Sequence, residues 1–198
     1  MKNLNIDREF LNVEHYFAYK HLIECLKVEV QKGDDPFSWR KTLHRAFKCK
    51  DRRFYFWFRL WRYFYTTNKF HLLSYAKRKA IKLNREYNID INPRSTIGPG
   101  LKIVHFTGIV IRGNCNIGQN VVIRQNVTIG DRHDTDIGIS YIGDNVQIGA
   151  NSCIIGNVRI GKNVTIGAMS LINKSVPENT VVYSENHMVT REKKATGN

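Results

Sequence analysis

A histidine with a carboxylate close to it in space is enough to move a proton between heavy atoms near neutral pH. His105 and Asp90 offer such a pair. The imidazole could take a proton from an attacking group. A carboxylate on its other ring nitrogen would hold the ring and stabilise the imidazolium that forms. Asp90 lies fifteen residues before His105, so the pair depends on a fold that stacks one segment over the other.

That fold is legible in thirteen isoleucines, Ile91, Ile97, Ile103, Ile109, Ile117, Ile123, Ile129, Ile142, Ile148, Ile154, Ile160, Ile166 and Ile172. Ten of the twelve intervals are six residues, one is eight (Ile109 to Ile117) and one is thirteen (Ile129 to Ile142). Seven of the isoleucines are followed by Gly, and the fourth residue onward is usually small or β-branched, as in Ser95, Val121, Val146 and Ser170. A period of six fits neither a helix nor an alternating strand. It is the pattern of a hexapeptide parallel β-helix, each hexad giving one short strand and a corner. Isoleucine fills the inside, and glycine leaves the corner free of a Cβ.

Three hexads make a coil of 18 residues, so residues one coil apart stack. With the two irregular intervals allowed for, His105 heads a column that continues through Gln125, Ala150 and Ala168. Strand spacing of about 4.8 Å separates the ends of that column by roughly 14 Å. A slim, extended ligand fits over the alanines with its reactive end at the histidine. Asp90 is expected one coil below, under Gly108.

The remaining chain is unlike the repeat. Residues 1–89 carry 20 Lys+Arg against 9 Asp+Glu, whereas residues 90–198 carry 11 against 8. Most of the formal charge of +14 therefore sits before the repeat. Residues 7–31 have helical spacing (Phe10, Val13, Phe17, Ile23, Leu26), and Gly33-Asp34-Asp35-Pro36 ends that helix, with Pro36 suited to the first turn of the next. Residues 52–65 are densely aromatic, with Phe54, Trp57, Phe58, Trp61, Phe64 and Tyr65 on one face and Arg59 and Arg62 on the other. Two readings follow: internal packing, or peripheral contact with an anionic membrane surface. Residues 69–87 are expected to form a basic helix feeding the repeat. Lys77-Arg78-Lys79 has no nucleic-acid fold around it, so no nucleic-acid partner is expected. Cys25, Cys49, Cys115 and Cys153 show no paired framework, which suits reduced thiols. The sequence shows no secretory signal and no uncharged apolar run of spanning length. The expected location is the cytoplasm, with a peripheral position at the inner face of the membrane as the variant. The expected organisation is an α-helical region (1–89), a β-helix domain (90–183) and a tail (184–198).

DINPRSTIGPGLKIVHFTGIVI (90–111), IRQNVTIG (123–130) and IGANSCIIGNVRIGKNVTIGAMS (148–170) resemble the hexapeptide-repeat serine acetyltransferase group, which includes polysaccharide O-acetyltransferases such as the colanic acid acetyltransferase. The resemblance covers about residues 88–183. It implies a left-handed parallel β-helix, a homotrimer or dimer of trimers, and acetyl-CoA held between adjacent β-helices, with no metal. It further implies that His105 is the general base and Asp90 its partner, the acceptor hydroxyl attacking the thioester directly. Gln125, Gly149, Ala150, Gly167 and Ala168 would line the CoA path, and His133, in the loop DRHDTDIGISY (131–141), would contact the acceptor.

Three departures from that group bear on the acceptor. The serine enzymes place an acidic residue just before the catalytic histidine, where this chain has Val104. Their N-terminal helical domain is longer than 89 residues. Their tail motif Gly-x-Pro-Ala-Lys/Arg is replaced by Ser184-Glu185-Asn186-His187-Met188. Loss of the acid removes a partner for a substrate ammonium. The expected acceptor is therefore a sugar hydroxyl of a surface (capsular or exo-) polysaccharide or its precursor, with L-serine as the alternative and an amino sugar, acetylated on nitrogen, as the lesser one. A γ-type carbonic anhydrase would need three histidines converging on zinc, and the repeat has only His105 and His133. A non-catalytic scaffold would leave His105 without work.

Overall fold

The structure is a computed structural model that describes residues 3–67, 70–133 and 138–185. Four helices come first: α1 (Asn3–Leu26), α2 (Trp39–Lys48), α3 (Lys50–Thr66) and α4 (Phe70–Glu86). α1 runs on as a π-helical turn over Lys27–Gln31. α2 begins later than Pro36 suggests, because the Ser38 hydroxyl accepts from Lys41 N and caps the helix there.

From Ile89 the chain winds into three parallel sheets of very short strands, the left-handed β-helix expected from the isoleucine period. The first sheet stacks Ile89–Ile91, Ile109–Ile111, Thr128–Gly130, Cys153–Ile155 and Leu171–Ile172. The second stacks Thr96–Ile97, Cys115–Ile117, Ser140–Ile142 and Arg159–Ile160. The third stacks Lys102–Ile103, Val122–Ile123, Gln147–Ile148, Thr165–Ile166 and Val181–Val182. The isoleucines point inward, and most of those within strands are at most 4% exposed. At one corner Asn120, Asn145, Asn163 and Asn179 all adopt positive φ, which asparagine tolerates, and each amide donates to the next along the ladder.

The register relocates the eight-residue interval. Ile91 pairs with Ile111, not Ile109, and Ile103 with Ile123. Gly108 N donates to Asn88 O, and Asn126 N to Thr107 O. The two extra residues therefore fall before Ile109, in the corner Val104–Thr107, which answers only Arg124 and Gln125 on the next coil. Ile109 and Ile111 both point inward, at 0% and 1% exposure, so the ladder alone could not tell which continued it. The same shift corrects the place of Asp90, which pairs with Val110 rather than lying under Gly108.

The helices close the open end of this solenoid. The first coil has no preceding strand to satisfy its backbone, and buried unpaired groups cost about 1–3 kcal/mol each. Arg59, expected on an outer helix face, is 2% exposed. Its Nη1 donates to Ile97 O and its Nη2 to Gly98 O, both at 2.7 Å. Nε and Nη2 also donate to the two Glu29 carboxylate oxygens at 2.8 and 2.6 Å. Glu29 Oε1 in turn accepts from Leu101 N at 2.9 Å, and Tyr55 Oη accepts from Ile103 N at 2.7 Å. Burial alone would depress the Arg59 guanidinium, but the Glu29 carboxylate reverses this and holds it above its ordinary range.

Around that polar plug, Phe54, Tyr55, Phe56, Phe58 and Trp61 are buried in a core continuous with Ile91, Ile97 and Ile103. The packing reading of residues 52–65 accounts for these aromatics, and the helix's remaining large apolar side chains, among them Trp57, Leu60 and Phe64, are half-buried. No helix among the described residues is long and apolar enough to cross a membrane.

Candidate active site

Three corners repeat up the β-helix, and the chemistry-bearing residues occupy two of them. His105 lies where the chain leaves the third sheet and enters the first. Counted from the strand pairings Ile103–Ile123, Ile123–Ile148 and Ile148–Ile166, Gln125, Ala150 and Ala168 follow it in order up the coils. Asn151 N donates to Gln125 O and Met169 N to Ala150 O, which fixes the upper three at the corner; the equivalent bond one coil down runs from Asn126 N to Thr107 O, so the two extra residues set His105 apart from the residue directly beneath Gln125. His105 and Ala168 are exposed, while Gln125 and Ala150 are half-buried. The result is a shallow, small-residue track running away from a lone imidazole.

Gly149 and Gly167 stand one residue earlier in the same corner. A Cβ on Gly149 would lie 2.4 Å from Ala168 N, and one on Gly167 would lie 2.8 Å from Tyr183 Cβ. Close stacking of the coils is therefore reason enough for glycine at both positions, whatever lies outside them.

Asp90 projects from the outer face of the first sheet, on the strand that begins just below the His105 corner. Both side chains are exposed, and no hydrogen bond joins them among the described residues.

His133 lies at the other end of the first sheet, in the corner leaving it for the second. A side of six residues at about 3.3 Å each spans roughly 20 Å, so the fold does not bring His133 to His105 within one chain. Its loop is held at both ends by a residue the motif reading passed over. Arg112, 8% exposed, pairs through Nη1 with the Asp131 carboxylate, while its Nη2 donates at 2.8 Å to Gly138 O and to Asn157 Oδ1. Asp134 to Ile137 lie outside the described residues, as do Asn186, His187 and Met188 of the tail.

Between these two corners the outer face of the first sheet carries Asp90, Val110, Thr128, Cys153 and Leu171 in one column. Val110 is 39% and Leu171 57% exposed. That mostly apolar strip separates the His105 corner from the His133 corner.

Comparison with known proteins agrees with this architecture. Residues 140–174 match the family model described as bacterial transferase hexapeptide (six repeats). The serine acetyltransferase of Staphylococcus epidermidis is 42% identical over 62% of this chain and 59% of its own length. This chain thus spans less than two thirds of that enzyme. The crystal structure of Neisseria gonorrhoeae serine acetyltransferase in complex with serine aligns with a TM-score of 0.63 and 28% identity, covering 86% of this chain and 68% of that one. A serine acetyltransferase in complex with CoA aligns with a TM-score of 0.66 and 27% identity, covering 88% and 71%. Residues 140–174 therefore carry the bacterial transferase hexapeptide, and the chain, helices included, has the fold of serine acetyltransferases.

Proposed function

We propose that this protein is an acetyl-CoA-dependent O-acetyltransferase in which His105 is the general base. The observation that carries this reading is the column: one exposed imidazole at the foot of a track of small residues, on a fold shared with a CoA-bound acetyltransferase. The pantetheine arm would lie along Gln125, Ala150 and Ala168, beside Gly149 and Gly167, bringing the thioester to His105. His105 Nε2 or Nδ1 then takes the proton of the acceptor hydroxyl as its oxygen attacks the acetyl carbon. CoA leaves as thiol after collecting that proton from the imidazolium, which Asp90 steadies. The step needs no metal and no acyl-enzyme.

With a side of the coil, roughly 20 Å, between His105 and His133, the second histidine has a role only across a subunit boundary. In this reading two copies meet along the apolar strip of the first sheet, and His133 of one faces the acceptor held at His105 of the next. A homotrimer closes that contact on itself.

L-Serine is the acceptor favoured by the relatives, each of which is a serine acetyltransferase. This displaces the sugar hydroxyl preferred from the sequence, which keeps one observation in its support: half-buried Val104 stands just before His105 and offers a substrate ammonium no charge. The deciding experiment is acetyl-CoA turnover with L-serine, nucleotide sugars and capsular oligosaccharides measured side by side. Turnover on serine alone retires the sugar reading; turnover on none of them counts against the function as a whole.

A further inference from the structure

We propose that Phe106 is the positioning residue for His105, and that α3 is the support against which it holds the histidine. The inference rests on His105 being the general base. Four residues, Val104 to Thr107, fill a corner where the next coil uses two. Extra length at a solvent-facing corner ordinarily brings conformational freedom, and a reactive group misplaced by about 1 Å can lose 100-fold in rate.

Here the freedom is removed on every side of His105. Ile103 N donates to Tyr55 Oη at 2.7 Å, and Val104 N to Ile123 O at 3.0 Å. The Phe106 ring then turns back into the helices. Its centroid lies 4.9 Å from that of Phe54, 5.2 Å from Tyr87 and 6.1 Å from Tyr55, in edge-on arrangements that aromatic rings prefer. Thr107 N donates to His105 O at 3.0 Å, Thr107 O accepts from Asn126 N at 2.8 Å, and Gly108 N reaches Asn88 O at 2.8 Å. The residues on either side of His105 are tied to the next coil, to α3 or to Asn88, and the exposed imidazole projects from a held backbone. The ring contacts are those of the residue directly after the base, so they set where the base stands rather than what it touches.

A purely structural role for Phe106 makes a different forecast, and Trp61→Phe supplies the comparison, since Trp61 is buried in the far half of α3 against Trp57 and Tyr75. Phe106→Ala, Phe106→Leu, Trp61→Phe and His105→Ala are to be compared in the full chain. The readouts are thermal midpoint, acetyl-CoA kinetics with the acceptor that wild type uses best, and the ¹⁵N-histidine NMR spectrum, with the His105 ring signal assigned by its loss in His105→Ala. Phe106→Ala is expected to lower kcat roughly tenfold or more with KM for acetyl-CoA within about twofold. Phe106→Leu should recover part of the loss. The His105 ring signal should move or split in Phe106→Ala, and remain unchanged in Trp61→Phe. The inference fails if Phe106→Ala leaves the ring signal in place and kcat within about twofold of wild type, or if Trp61→Phe reproduces both effects. Full turnover in His105→Ala would sink the general-base reading instead, and the ring signal would still decide whether Phe106 holds His105.

Discussion

Arg59 and Glu29 meet as a two-point ion pair with side chains 1% exposed, and each partner also bonds the backbone of the first coil. Removing one partner strands the other charge in the core and opens several backbone groups at once. Arg59→Ala and Glu29→Ala should each cost about 3–5 kcal/mol. The double variant should cost much less than their sum, because the two losses share one network. Urea unfolding of the four proteins checks this, and single losses near 1 kcal/mol would show that the plug is dispensable.

The proposed chemistry makes its own forecast. His105→Ala should reduce turnover by two or more orders of magnitude with acetyl-CoA binding retained. Asp90→Asn should cost less, since a carboxylate that steadies a charge is not the group that moves the proton. Steady-state kinetics beside CoA titration calorimetry separates the two effects. Equal loss of CoA affinity in both variants would relocate these residues to the binding step.

Arg112 holds both ends of the loop that carries His133, through Asp131 and Gly138, and ties them to Asn157 of the following coil. Arg112→Gln loses the charge and should destabilise by about 1–3 kcal/mol. Limited proteolysis should then cut between residues 131 and 139 sooner than in wild type, while the rest of the β-helix stays resistant. An unchanged digestion pattern would mean the loop needs no such tether.

Two glycines of the coil that carries the Asp131 loop should behave differently. Gly149→Ala drives a methyl to 2.4 Å from the Ala168 backbone nitrogen and should cost several kcal/mol, roughly 3 or more. Gly130→Ala meets only Ile155 Cδ1 and Thr128 Cγ2 at 3.6 Å, so its effect should stay within about 1 kcal/mol. Thermal unfolding of the pair tests whether coil stacking or ligand contact explains glycine at 149.

The thiols divide by burial. Burial pushes Cys25 and Cys115 up to about 12, so at pH 8 roughly one in 10,000 of either is thiolate. Cys49 and Cys153 are partly exposed. Iodoacetamide at pH 8 should label Cys49 and Cys153 in the native protein and reach Cys25 and Cys115 only after unfolding. Mass spectrometry reads this directly, and early labelling of Cys115 would show that the β-helix opens readily.

The isoleucine period carried the fold and the coil length, because each rests on stacking that repeats through the sequence. What it could not carry is anything made once. Ile109 and Ile111 are both inward residues two apart, so the period assigns the interval to either, and only the strand register puts the extra length before Ile109. Arg59 looked outward on a helical wheel because its partner, Glu29, is thirty residues away and its acceptors, Ile97 O and Gly98 O, belong to backbone that no side-chain pattern marks. Arg112 gave no signal either, as its partners lie 19 to 45 residues on, Asp131 and Gly138 in one loop and Asn157 in the following coil.

The first coil is two residues longer than the regular eighteen, and the coil with the Asp131 loop is seven longer. These two excursions hold the only histidines between residues 90 and 183. A residue in the regular part of a coil is clamped from above and below, so it can scarcely change without its neighbours changing too. An excursion has no full counterpart on the adjoining turn, and its ties run elsewhere, from Phe106 to Phe54 and Tyr87 at one and from Asp131 and Gly138 to Arg112 at the other. Exchanging either segment together with those partners between related solenoids should move acceptor preference while the stack stays as it is.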